Sequence, residues 1–129
     1  MADRSGTVLV VEDDPSTIQL IAQVLAAAGY EPMQAREGGE ALRLIGERRP
    51  DLVILDLALP GLDGRSFLLS LRADERTKRL PVIVVSANSD SLSAFERRAV
   101  AAVLPKPFDV EALLAAVRGA DGRDGVAGT

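Results

Sequence analysis

Cysteine and histidine are both absent from this 129-residue chain. Without cysteine there is no disulfide, no thiolate zinc site and no thiol nucleophile, and a reducing compartment is permitted. Without histidine there is no imidazole to act as base, metal ligand or phosphoryl carrier, so any histidine chemistry must come from a partner. Long apolar runs are missing too: none approaches the length of a transmembrane helix, and the N-terminal MADRSG lacks the layout of a signal peptide. The net charge of −4, with acids and bases interspersed, lacks the basic excess of an extended nucleic-acid footprint. The expectation is a soluble, cytoplasmic protein with neither a membrane nor a direct nucleic-acid partner. The length suits a single domain that buries its core without metal or disulfide staples.

What is present is organised around Asp51 to Gly64, DLVILDLALPGLDG. Leu52, Val53, Ile54 and Leu55 are bounded by polar residues and read as a fully buried strand. Asp56 follows at its C-terminal end, before a turn marked by Pro60, Gly61, Asp63 and Gly64. Open α/β sheets place their ligands at such strand ends. Residues 7–11, TVLVV, form a similar run and end in Glu12, Asp13 and Asp14. Asp14 suits the N-cap and Pro15 the first position of a helix, with Ile18, Ile21, Ala22 and Leu25 at helical spacing and Gly29 as its stop. Tyr30 to Arg36 reads as an edge strand, since Pro32 removes a ladder donor.

Glu37 to Arg49 predicts a second helix, and Phe67, Leu68 and Leu71 mark a third that ends near Asp74. A fourth strand covers Pro81 to Val85 and ends at Ser86. A weaker helix holding Leu92 and Phe95 precedes a last strand at residues 100–105, then Lys106 and Pro107. A final helix presents Val110, Leu113, Leu114 and Val117, and residues 119–129 read as a Gly- and Asp-rich tail or linker beyond a core of about 7–118. Phe67, Phe95 and Phe108 are read as core, and the cations from Arg72 to Arg79, interleaved with acids, as solvated surface.

Five strands alternating with five helices predict an α/β fold, a flavodoxin-like (βα)5 doubly wound sandwich with a parallel sheet in the order 2-1-3-4-5. That order brings Glu12, Asp13, Asp56, Ser86 and Lys106, from four strand ends, into one shallow pocket. Singly, Ser86 is a polar strand end and Lys106 a turn cation; their convergence carries the functional reading. Three neighbouring carboxylates repel one another, so at least one pKa is expected to rise unless a cation intervenes. Oxygen-only ligands suit Mg²⁺. Lys106 can pair with Asp56 at rest and with a phosphoryl oxygen later. As a carboxylate nucleophile Asp56 would need no base to attack phosphorus.

The motifs VLVVEDDP, DLVILDLALPGLDG, VIVVSA and LPKPF, in this order over about residues 7–118, resemble the receiver domain of bacterial two-component response regulators. The resemblance implies that Glu12 and Asp13 hold Mg²⁺ together with Asp56 and the backbone carbonyl of Ala58. It implies that Asp56 is the phosphoacceptor, Ser86 the switch hydroxyl, and Lys106 the family lysine, before a proline whose peptide bond is usually cis there. The phosphodonor would be a phosphohistidine on a sensor histidine kinase or a histidine phosphotransfer protein, and transfer and later hydrolysis would be self-catalysed. The downstream target is open.

Two features depart from that family's pattern. Receiver domains commonly carry Tyr or Phe three residues before the lysine, where this chain has Val103. The usual Gly-Ala-Asp-Asp before it is Ala99, Val100, Ala101 and Ala102, and the short segment from Ser86 to Lys106 predicts a trimmed fourth helix. Val103 motivates an alternative reading as a phosphorylation-independent, receiver-like interaction scaffold. A phosphohydrolase of the haloacid dehalogenase kind would want an acid where this chain has Ala58.

Overall fold

The computed structural model describes residues 6–58, 64–88 and 91–121. The apolar runs form β1 (Thr7–Val11), β3 (Leu52–Asp56) and β4 (Val82–Ser86), with β2 (Glu31–Ala35) and β5 (Ala102–Pro105) at the edges of one five-stranded sheet, ordered β2-β1-β3-β4-β5. Each neighbouring pair is parallel. Pro32 lies opposite Val8 on the edge strand, where a missing N–H costs no inner ladder bond.

Between the strands run α1 (Pro15–Ala27), α2 (Gly38–Glu47), α3 (Gly64–Ala73), α4 (Ala94–Arg98) and α5 (Val110–Asp121). Strand side chains alternate between faces, and the core divides accordingly. Val8, Val10, Ile54, Ile83 and Val85 pack with Ile18, Ile21 and Leu25 of α1 and Leu113 and Val117 of α5. Leu9, Val11, Val53, Leu55 and Val84 pack on the other face with Ala41 and Ile45 of α2 and Phe67, Leu68 and Leu71 of α3. Strands buried on both faces read as continuous apolar runs, which is why β1, β3 and β4 were legible.

The Asp14 carboxylate caps α1, accepting from the Thr17 N–H at 2.9 Å and the Thr17 hydroxyl at 2.6 Å. Gly29, at φ 96°, ends that helix in the left-handed region, as its stop position requires. The expected turn at Pro60, Gly61 and Asp63 lies outside the described residues, as do residues 122–129.

The structure corrects several expectations. Helix α5 continues through Gly119 and Ala120 to Asp121, into the segment read as tail. The last strand begins at Ala102 rather than residue 100, and α2 stops at Glu47. The fourth helix is trimmed to five residues, as its short segment predicted, but Leu92 lies before it rather than within it. Phe95 is 63% exposed rather than core, because so short a helix has no second turn to seat its ring against the sheet. Arg72 is not a solvated cation: its guanidinium is half-buried and donates to the carbonyls of Ala99 at 2.7 Å and Leu80 at 2.9 Å.

Candidate functional site

The C-terminal ends of β1, β3 and β4 and the turn after β5 meet at the edge of the sheet. Parallel register sets this juxtaposition: Val11 pairs with Leu55, Asp56 with Val85, and Ser86 with Pro105. The last residues of β3 and β4 and the first residues beyond β1 and β5 therefore share one rim. Glu12 and Asp56 are 1% and 4% exposed, whereas Asp13 faces solvent. Carboxylate oxygens of Glu12, Asp13 and Asp56 lie within 4.8 Å of one another.

Lys106 closes the cluster. Its Nζ donates to Glu12 Oε1 at 2.8 Å and to Asp56 Oδ2 at 3.1 Å. The lysine is aimed by its backbone, whose N–H donates to the Ser86 carbonyl at 3.0 Å, and the following Lys106–Pro107 peptide is cis. The remaining carboxylate oxygens are also engaged: Glu12 Oε2 accepts from the Asp14 N–H at 3.1 Å, and Asp56 Oδ1 from the Ala58 N–H at 3.1 Å. Buried carboxylates require such partners, since each unpaired one would carry its full desolvation cost.

The expected rise of one carboxyl pKa is found at Glu12. Its main cause is burial, which outweighs the lowering by the Lys106 and Asp14 hydrogen bonds; repulsion from Asp56 is a smaller contribution. Burial rather than mutual repulsion of the carboxylates is chiefly what raises it. For Lys106, burial disfavours the ammonium, but hydrogen bonds and attraction from Glu12 and Asp56 prevail and its pKa is raised. The ammonium stays charged while Glu12 sits closer to protonation than an ordinary glutamate.

All five predicted side chains stand at neighbouring strand ends. Lys106 touches Glu12 as well as Asp56, a contact that spacing did not reveal. Ser86 is buried, and its Oγ accepts the Asn88 N–H at 3.1 Å. The donor set fits a hard divalent cation: it is all oxygen, and its carboxylate atoms lie within 4.8 Å of one another, close enough to converge on one ion. Sequence reasoning missed Arg65 and Arg72, which flank the buried stripe of α3 seven positions apart, a periodicity that marks one helix face.

Comparison with known proteins points the same way. The DNA-binding dual master transcriptional regulator RpaA of Synechocystis is 40% identical over 114 residues, covering 86% of this chain and 47% of its own length. Protein PilH of Pseudomonas aeruginosa is 30% identical over 109 residues, 83% of this chain and 90% of its own. The chain spans about half or less of the length of the DNA-binding relatives it matches first. Among solved structures, the receiver domain of the Pseudomonas aeruginosa sensor histidine kinase PA1611, with a magnesium ion coordinated in its active site cleft, superposes with a TM-score of 0.83. It is 30% identical and covers 92% of this chain and 98% of that one. No described helix is long and apolar enough to cross a membrane. The sequence profile of the response regulator receiver domain matches residues 8–118, and with the acidic rim and the five-stranded order this establishes that the chain belongs to the response regulator receiver domain family, a signalling domain of two-component systems.

Proposed function

We propose that Asp56 is the phosphoacceptor of this receiver domain, taking a phosphoryl group from a phosphohistidine on a sensor histidine kinase or histidine phosphotransfer protein. The observation that carries the reading is Lys106 Nζ held between two buried carboxylates, 2.8 Å from Glu12 and 3.1 Å from Asp56. An oxygen of Asp56 attacks phosphorus, the N–P bond of the donor breaks, and its electron pair returns to the imidazole. The Ala58 N–H holds one carboxylate oxygen of Asp56 and fixes the direction of attack. Lys106 exchanges its contact with Asp56 for one with an oxygen of the incoming group, placing positive charge where negative charge accumulates. Glu12, Asp13, Asp56 and the Ala58 carbonyl would hold Mg²⁺, which supplies charge neutralisation for the phosphoryl oxygens. Ser86 offers a hydroxyl to the same group. Hydrolysis of the acyl phosphate resets the domain, and the lifetime of the phosphorylated state sets how long a protein-interaction surface remains switched.

Incubation with acetyl phosphate and Mg²⁺, followed by intact mass, tests this directly. One phosphate is expected on the wild type and none on Asp56→Asn. An equal gain on both would remove Asp56 from its role.

A further inference from the structure

Helix α4 has no buried side chain of its own; apolar packing holds only the residues flanking it, Leu92 before and Ala99 and Val100 after. Two arginines of α3 tether the helix between them. Arg65 Nε donates to Glu96 Oε2 at 2.9 Å, and Arg72 donates to the Ala99 carbonyl, just past the other end, at 2.7 and 3.1 Å. Helix α3 in turn begins against the site. The Gly64 N–H donates to the Leu57 carbonyl at 3.1 Å, and a Cβ on Gly64 would stand 2.4 Å from Leu57 Cα and 2.8 Å from the Asp56 carbonyl oxygen. The first turn of α3 thus rests on the backbone of the strand end that carries Asp56.

A second line leads to the same arginine from the pocket hydroxyl. Ser86 Oγ accepts from the Asn88 N–H at 3.1 Å, and the Asn88 carbonyl accepts from the Ser91 N–H at 3.1 Å and hydroxyl at 2.8 Å. Ser91 Oγ and its carbonyl accept from Arg65 Nη2 at 2.8 and 3.2 Å. Glu96, bound to Arg65 through Oε2, uses Oε1 to accept the N–H of Ser93, the residue that caps α4, at 2.9 Å. The links are continuous from the pocket to the first turn of α4. At β5, by contrast, Val103 packs against the core face shared with α2 and α3 and has no ring to swing.

We propose that Arg65 is the positioning residue that carries the state of the pocket to α4, through Ser86, Asn88 and Ser91, in place of an aromatic relay at Val103. The inference rests on the reading of Asp56 as phosphoacceptor. A Ser86 side chain that rotates about χ1 to bring its hydroxyl to a phosphoryl oxygen carries Oγ away from the Asn88 N–H. The Ser91 acceptors shift with Asn88, and Arg65, bonded to both Ser91 and Glu96, shifts with them. Helix α4, with no buried side chain of its own, follows its polar tethers. Coupling then runs through a contiguous network with two arrangements of one hydroxyl.

The test is intact mass together with amide chemical shifts on ¹⁵N-labelled wild type, Arg65→Gln and Glu96→Gln, before and after acetyl phosphate and Mg²⁺. Arg65 is 42% exposed, and glutamine at 96 keeps the acceptor for the Ser93 N–H, so both variants retain the fold, which their unphosphorylated spectra verify. All three proteins are expected to gain one phosphate. The wild type should then show displaced amides from Asn88 through Ala99, whereas in both variants the displacement persists at Asn88 and collapses over Glu96 to Ala99. Full phosphorylation with equal α4 displacements in all three overturns the route alone. Absence of any mass gain on the wild type overturns the phosphoacceptor reading and the route with it.

Discussion

Replacing Lys106 with methionine removes the ammonium that lies 2.8 Å from Glu12 and 3.1 Å from Asp56, while keeping most of the aliphatic stem. At an effective dielectric of about 20 each contact amounts to roughly 5–6 kcal/mol of gross attraction, most of which desolvation offsets. Removing one partner from a buried pair costs about 3–5 kcal/mol, because the charges left behind are uncompensated. Two features lower that figure here. The Lys106 side chain is 23% exposed, so water screens part of the attraction. Glu12, already displaced toward its neutral form by burial, can take up a proton once the ammonium is gone. The expected loss is therefore about 2–3 kcal/mol near neutral pH. Its pH dependence has a definite sign. A carboxyl whose folded pKa lies above its unfolded value of 4.5 binds more protons folded than unfolded in between. Its contribution is complete below 4.5 and is lost as pH rises through the folded value. Losing Lys106 removes two lowering influences on Glu12, so the variant's window reaches higher, and its deficit shrinks as pH falls toward about 5. Urea unfolding by far-ultraviolet circular dichroism at about pH 7.5 and about pH 5, with a shared m-value, measures both quantities. A deficit below about 0.5 kcal/mol, or one unchanged between the two pH values, would refute the assignment of two buried carboxylates that depend on one cation.

Gly64→Ala should destabilise despite the better helix propensity of alanine, by about 1–3 kcal/mol, because its Cβ would stand 2.4 Å from the Leu57 Cα, which is backbone and cannot yield. A raised urea midpoint for that variant would contradict the close approach. Arg72→Met leaves the Ala99 and Leu80 carbonyls without their guanidinium donor and should cost about 1–3 kcal/mol by the same measurement; no loss would mean that Arg72 is the solvated cation its sequence context predicts. Phe67→Ala, at a fully buried ring, should cost about 3–5 kcal/mol, whereas Phe95→Ser should change stability by less than about 0.5 kcal/mol. Comparable losses for the two phenylalanines would place Phe95 back in the core. Mg²⁺ should raise the thermal midpoint of the wild type and much less that of Asp13→Asn, a difference that scanning calorimetry reads as linkage to the folded state.

The sequence by itself determined the sheet and the identity of the rim. Strands buried on both faces must be apolar along their whole length, so TVLVV, LVIL and VIVV announce themselves, and a parallel sheet with short crossovers admits few orders. Once β1 and β3 are neighbours, Glu12, Asp13 and Asp56 have to converge, and Asp14 before Pro15 has to cap α1. Tertiary structure alone decided the rest. Whether a cation is solvated depends on which carbonyls lie within its reach, and Arg72 finds Ala99 across 27 positions of chain. The Lys106–Glu12 contact spans 94 positions and owes its existence to the sheet register, not to any local pattern. Phe95 is exposed because α4 closes after five residues, and helix length that short is set by how the ends are tied rather than by propensity. Local sequence encodes what a segment must bury; which polar atoms meet is settled only when distant segments pack.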